Sequence, residues 1–401
     1  MKRLRLAPTT RGPGVLAQAF VLGAAAFAMA GCSSCRRAPD PNRTADSSAS
    51  TSGAIVIRPA SAAGDSGAPR PGMAWIPPGT LRTGTPADHV PRVADEEPAG
   101  APVEMGGFYI DLLPYPNEPG AIPTSNVTRD DAEQLCTAKG KRLCTELEWE
   151  RACKGPDNAS YEYGDTYRAS ACGTGVAPEE AAHRPAGEHA VCKSGFGVAD
   201  MHGGVWEWTD SPWARGSKER SLGVLRGGNA VAGELVGRCA NAIGRPTGKR
   251  APTMGLRCCG GTRNEATVQL TVKGTPGFQT VQNPEDLHEV WEPVLRPALG
   301  TAANHFARAW KWSPVPNEEL VMILGCNTVT PTCALAVGRT LEGGAALVAS
   351  ADVGHASALP DVARIGDARH LRIRGLDPSG TFGRDITYVY GRVEIGRISR
   401  P

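Results

Sequence analysis

Cysteine has the widest chemical scope of the residues in this 401-residue chain, and its spacing indicates which chemistry to expect. Cys136, Cys144, Cys153, Cys172, Cys192, Cys239, Cys258 and Cys259 fall in one block, with Cys326 and Cys333 downstream. Structural zinc would call for short paired spacings with histidines nearby. The one such pair, Cys32-Ser33-Ser34-Cys35, lies near the N-terminus, and the eight histidines are scattered. Disulfides are therefore expected, and Cys326 and Cys333, with Pro331 between them, should close a tight hairpin. Gly64-Asp65-Ser66-Gly67 looks like the loop around a protease nucleophile, but its surroundings are too polar to fix a base and oxyanion donors, so it is set aside. Trp206 and Trp208 share one strand face near Trp213, with Arg226, Arg238 and Arg245 on neighbouring segments. Such residues can line a groove for a peptide or sugar, although a tryptophan pair in an aromatic-poor domain is more often core.

The elements that must position these residues begin after an address. Lys2, Arg3, Arg5 and Arg11 precede an uncharged apolar stretch at 15–31, the pattern of a secretory signal. It ends in Met29-Ala30-Gly31-Cys32, which resembles the bacterial lipobox, so residues 1–31 are expected to be a lipoprotein signal peptide and Cys32 the lipidated residue. An uncleaved membrane anchor is the alternative. Cleavage takes the chain from +2 to −2, which leaves lipid rather than a basic patch to hold it to the membrane. The expected location is the bacterial cell envelope, and Ser33 after Cys32 favours the outer membrane by analogy with lipoprotein sorting. Residues 32–70 read as a disordered tether. With 49 Gly, 33 Pro, 5% aromatics and 21% charged residues, coiled coils and collagen are excluded in favour of loop-rich globular structure. The near-zero net charge argues against a nucleic-acid partner.

Two short helices are marked at both ends. Thr128 with Asp131 forms a capping box before the apolar stripe of Ala132, Leu135 and Cys136, and Gly140 suits the stop. Thr145 with Glu148 repeats the device ahead of Trp149, Ala152 and Cys153, and Gly155-Pro156 ends the helix. Short β segments follow. Beyond Gly260-Gly261, strands are expected at 266–272, 320–324, 333–337, 345–348, 386–390 and 393–398, with one helical stretch between Pro284 and Trp312. The predicted fold class is α+β, with one domain at 71–262 and a mainly β accessory domain at 264–401.

Several motifs occur in order: Met73-Ala74-Trp75-Ile76-Pro77-Pro78-Gly79, Gly140-Lys141-Arg142-Leu143 with Glu148-Trp149-Glu150, Gly204-Val205-Trp206-Glu207-Trp208-Thr209, Leu225-Arg226-Gly227-Gly228-Asn229, and Gly255-Leu256-Arg257-Cys258. In these the chain resembles the formylglycine-generating enzyme (sulfatase-modifying factor) family, a variant of the C-type-lectin-like fold. Active members are copper oxidases that use two cysteines between the Gly-Gly turn and the later Arg-Cys pair. Residues 229–237 here read Asn-Ala-Val-Ala-Gly-Glu-Leu-Val-Gly, without a cysteine. Soft Cu(I) needs thiolate or similarly soft donors, so the copper chemistry is expected to be absent. A related carbon–sulfur-bond-forming branch uses iron on histidines of a separate helical domain, which the scattered histidines here do not support.

The resemblance implies disulfides Cys136–Cys258 and Cys153–Cys239. Vicinal Cys258 and Cys259 in an extended strand point to opposite faces, so each can pair separately; Cys144, which takes the place of a residue usually Pro in the family, is then the natural mate for Cys259, and Cys172 pairs with Cys192 by elimination. Sequence alone leaves 105 pairings of eight cysteines open. The resemblance also implies a structural calcium held by the Asp200 and Glu207 side chains and the Gly203 and Val205 carbonyls, a donor set of the right hardness. The other reading of Glu207 is an internal ion pair with an arginine such as Arg226. Asn229, Arg238 and Arg245 stand where relatives hold their substrate and are the ligand-groove candidates. The expected function is a non-catalytic, calcium-stabilised binding or scaffold module of the cell envelope, taking a peptide, protein or glycan ligand. An oxidoreductase of the formylglycine-generating type acting on an exported protein, and a carbohydrate-binding module, are the alternatives.

Overall fold

The structure, a computed structural model, describes residues 54–56, 67–178, 183–216, 221–300, 303–330, 332–341, 344–355, 361–377 and 380–398. The signal segment, Cys32, Cys35 and the Gly64-Asp65-Ser66 loop lie outside the described residues. Among those described, many short strands and few helices form an α+β architecture, and no helix is long and apolar enough to cross a membrane.

Both capping boxes are formed. Thr128 caps α1 (Arg129–Thr137) and Thr145 caps α2 (Glu146–Lys154), each side chain accepting the N–H of the third helical residue while that residue's carboxylate accepts the cap N–H. Gly140, at φ +66°, lets Lys141 N–H reach back to the Cys136 carbonyl and closes the first helix. One sheet orders Met73–Ile76, Phe108–Asp111, Cys258–Gly260 and Arg142–Leu143; a second orders Met254–Leu256, Trp206–Pro212, Leu222–Gly227 and Ala242–Pro246. Cys258 lies in the core under the second sheet and Cys259 in the core under the first, as opposite faces of one strand require. The disulfides are Cys136–Cys258, Cys144–Cys259, Cys153–Cys239, Cys172–Cys192 and Cys326–Cys333.

Three expectations about elements are corrected. The stretch taken as a structureless tether contains a strand, Ala54–Val56, paired antiparallel with Thr267–Gln269. The first core also runs past residue 262, because Ala266, Val268 and Leu270 alternate inward from the strand and bury against it. In the third, the helical stretch is shorter than expected: α4 (His288–Leu299; α3 is Ala169–Cys172) stops at Gly300, and His305–Ser313 is a strand in which buried Trp310 and Trp312 flank exposed Lys311.

The C-terminal part has three layers. Gly277–Val281, His305–Ser313, Leu320–Cys326, Thr332–Leu341 and Gly344–His355 make an antiparallel meander, and Asp361–Arg364, His370–Asp377, Gly380–Val389 and Arg392–Arg397 make a second sheet. Period two sorts the central strand: Leu320, Met322 and Leu324 pack toward Leu371, Ile373 and Ile386, while Val321 and Ile323 pack toward Trp291 and Leu295 of α4. A buried knot fastens this part to the first. Glu318 accepts from Arg92 Nη1 at 2.8 Å, Arg339 Nε at 2.7 Å and the Tyr388 hydroxyl at 3.2 Å, and Ala94 sits in the sandwich core.

Candidate functional site

The helix expected to show one buried face, α2, is buried on all sides. Its charged residues are tolerated because each is ion-paired or hydrogen-bonded, the glutamates to arginines from outside the helix, Lys154 to Glu150 and Arg151 to the Pro77 and Thr80 carbonyls. Glu146 Oε2 accepts from Arg215 Nη2 at 2.5 Å and Arg226 Nη2 at 2.9 Å; Glu150 accepts from the same Arg226 nitrogen at 3.0 Å and from the Gly84 N–H at 2.6 Å. Burial would raise the Glu146 carboxyl, but Arg215 and Arg226 outweigh it and hold it below the ordinary value. Lys154 completes the row with Nζ 2.5 Å from the Arg82 and Gly84 carbonyls, its pKa lowered by burial.

Glu207 follows the second expectation, an internal ion pair with an arginine. It is fully buried and its partner is Arg257, not Arg226: Arg257 Nε and Nη2 each lie 3.0 Å from a carboxylate oxygen, and the Trp149 indole donates at 2.6 Å. Arg257 Nη2 also donates to the Ala199 and Asp200 carbonyls. The guanidinium thus supplies the positive charge at the place where calcium was expected, while burial still holds the Glu207 carboxyl above its usual range. Of the other expected ligands, Asp200 also has its carboxylate engaged. Asp200, at φ +52°, accepts the Gly187 N–H at 2.5 Å; Gly203 N–H donates to the Gly228 carbonyl; Val205 is buried. Calcium takes six to eight oxygen ligands with carboxylates supplying the charge, and of the two carboxylates expected here Glu207 is saturated by an arginine and an indole while Asp200 accepts a backbone N–H, so the pair does not fit the ion.

The groove candidates are not brought together. Arg238 is buried and grips Glu97 in a fork, Nη1 to Oε2 at 2.7 Å and Nη2 to Oε1 at 2.5 Å, with Thr85 Oγ1 at 2.7 Å and the Leu235 carbonyl at 2.8 Å. Burial would raise the Glu97 carboxyl, yet the arginine holds it below its usual value. Arg226 is interior for the same reason, whereas Arg245 is exposed at the far strand and donates to the Gly244 carbonyl. Asn229 is half-buried, bridging Gly203. The tryptophans are core: Trp208 is buried with its indole on the Val127 carbonyl at 3.0 Å, Trp206 packs beside it, and Arg215 stacks 4.3 Å over the half-buried Trp213.

The structure does form a cleft that the sequence did not announce. Pro114, Pro123, Pro185 and Ala186 make its walls, Arg184, His189 and Asp200 line it, and Cys172 and His202 form part of its floor. It holds about 20 Å³ of free space, room for one water-sized particle. Gly203 makes the fit possible, since a Cβ there would stand 2.2 Å from the Cys172 carbonyl oxygen and its φ of +90° suits glycine alone. Beneath the cleft lies Glu162, 3% exposed, a residue without any signal in sequence beyond its place between two tyrosines.

This geometry defines a disulfide-clamped α+β domain stabilised by buried carboxylate–guanidinium pairs. Residues 114–261 match the family described as "Sulfatase-modifying factor enzyme 1-like domain". A hercynine oxygenase of Mycolicibacterium smegmatis is 35% identical over 98 residues, 23% of this chain and 23% of that protein. The inactive C-alpha-formylglycine-generating enzyme 2 of Bos taurus is 27% identical over 154 residues, 35% of this chain and 50% of that protein. The formylglycine-generating enzyme of Mus musculus is 27% identical over 161 residues, 34% and 43% of the two chains. The chain thus spans no more than half the length of these relatives. Among solved structures, PvdO from Pseudomonas aeruginosa aligns over 53% of this chain and 100% of its own with 20% identity and a TM-score of 0.40.

Proposed function

We propose that this protein is an exported, lipid-anchored binding or scaffold module of the bacterial cell envelope, whose sulfatase-modifying-factor-like domain does not carry out copper oxidation. The observation that carries the reading is the make-up of residues 229–237, which offer no thiolate, thioether or imidazole to a soft ion. The arginine at the end of that segment, Arg238, is spent on Glu97, and every cysteine among the described residues is in a disulfide. That one relative bears the name of an inactive enzyme agrees with a scaffold use of the fold. The test is a Cu(I) titration of the chain from Ala49 onward, the compact unit that keeps the Ala54–Val56 strand, with oxygen uptake measured on a thiol-bearing peptide. Absence of stoichiometric copper and of oxygen uptake is expected. One tightly bound copper per chain with thiol-dependent oxygen consumption would establish an oxidoreductase instead.

A further inference from the structure

Eight acidic side chains are buried among the described residues, and seven of them have a Lys or Arg partner. Glu162 has none. A buried carboxylate without a cation is costly, and proteins resolve it by pairing or by a metal ion. What surrounds Glu162 is a set of metal-ligating atoms. Its Oε1 lies 2.6 Å from Sγ of both Cys172 and Cys192, and its Oε2, which accepts the Met201 N–H at 3.0 Å, lies 3.8 Å from Nδ1 of His202. Disulfide sulfurs have no proton to donate to that oxygen. His202 is an independent pointer: it is 3% exposed, and neither ring nitrogen has a hydrogen-bond partner.

We propose that Cys172, Cys192, Glu162 and His202 form a redox-gated site for a borderline divalent ion of the zinc class. Two thiolates, one carboxylate and one imidazole are a four-ligand set suited to tetrahedral Zn²⁺. The three ligand atoms of Glu162, Cys172 and Cys192 already lie within 4.8 Å of one another. The cleft that has Cys172 and His202 in its floor is the entry path, and its free space admits one ion. The gate is the disulfide. A dithiol reductant gives it two electrons and two protons, the Cys172–Cys192 bond breaks, and the reductant's own thiols close to a disulfide. Binding then releases the two thiol protons as the sulfur–metal bonds form.

The site stands apart from the scaffold reading, because it uses none of residues 229–237. The test is a Co²⁺ titration of the full chain before and after brief treatment with a dithiol reductant, the reductant being removed without air. Alkylation and peptide mapping report which bridge opened. The expected result is that the labelling gained on reduction is confined to Cys172 and Cys192, with one Co²⁺ bound only after reduction and showing tetrahedral and thiolate charge-transfer absorption. A Glu162→Gln or His202→Ala variant should lose at least about tenfold in affinity, and a Cys172→Ser/Cys192→Ser variant the charge-transfer band itself. Glu162→Gln keeps the side-chain shape, so it serves if the cysteine variant fails to fold. Three results would overturn the proposal: a bridge that stays closed in the folded protein, a reduced protein that gives no charge-transfer band, or a band unchanged by Glu162→Gln.

Discussion

Replacing Arg238 by alanine separates a ligand-groove arginine from a structural one. The guanidinium makes two bonds to Glu97 and one each to Thr85 and the Leu235 carbonyl, all in the interior. Its removal leaves Glu97, 3% exposed, without a counter-charge, a change that costs about 3–5 kcal/mol. Spread over the compact unit from Ala49 onward, that loss lowers the thermal transition by roughly 4–7 °C. The pH dependence gives a second, independent reading. Glu97 is held below its ordinary value of 4.5, so its contribution in the parent protein is present above that pH and fades as pH falls through the depressed pKa. In the variant burial without the arginine raises the carboxyl and protonation relieves it, so the gap between the two proteins is widest near neutrality and narrows as pH falls toward and through 4.5. Urea unfolding with disulfides intact, followed by tryptophan fluorescence at pH 7 and pH 4, measures both. An Arg238→Ala protein within about 0.5 kcal/mol of the parent at pH 7, where the exposed Arg245→Ala control is expected to lie, would refute the interior-clamp reasoning.

Chelation by EDTA should leave the melting temperature unchanged, because Arg257 rather than an ion neutralises Glu207; a drop of several degrees restored by Ca²⁺ would contradict that. Arg257→Met should lower stability by about 3–5 kcal/mol, read from the same urea curves. Removing Cys144–Cys259 by double serine substitution should cost about 3 kcal/mol on the chain-entropy model and not the nearly 5 of an isolated long loop, because the neighbouring Cys136–Cys258 bridge leaves only the segments 136–144 and 258–259 to close. Glu318→Ala should loosen the C-terminal sheets, raising hydrogen exchange in 320–326 and 332–341, since Arg92 and Arg339 lose their shared acceptor.

What was legible in the chain was local or repeated in words. The caps at Thr128 and Thr145 act within four residues, so both helices could be placed from sequence, and the vicinal cysteines announced two faces through the strand period alone. The buried charges were not legible in the same way. Glu146, Glu150 and Lys154 look like the wet side of α2 until Arg215, Arg226 and the turn at Gly84 arrive from 60 to 80 positions away. The internal ion pair of Glu207 was legible but its arginine was not, for a related reason. Its strand pairs with 254–256 in parallel on one side and 222–227 antiparallel on the other, and Arg226 stands opposite it in the ladder while Arg257 reaches it from the strand's end. At 305–313 the alternation of Trp310, Lys311 and Trp312 was present, but the helical pattern of α4 before it was read past Gly300. The site around Glu162 draws on the end of α3 and three separated loops and leaves no periodic trace.

The knot at Glu318 bears on how such a protein can be divided or recombined. Its arginines come from both sides of the presumed domain border, and the segment that supplies Arg92 also carries Glu97, the clamp on Arg238. Meanwhile Val268 and Leu270, downstream of the Gly260-Gly261 turn, fill the upstream interior. The C-terminal sandwich is therefore no cassette to be clipped off and transplanted: a cut at that turn wounds both halves, and an inherited exchange of one half would have to bring residues 85–97 along with it.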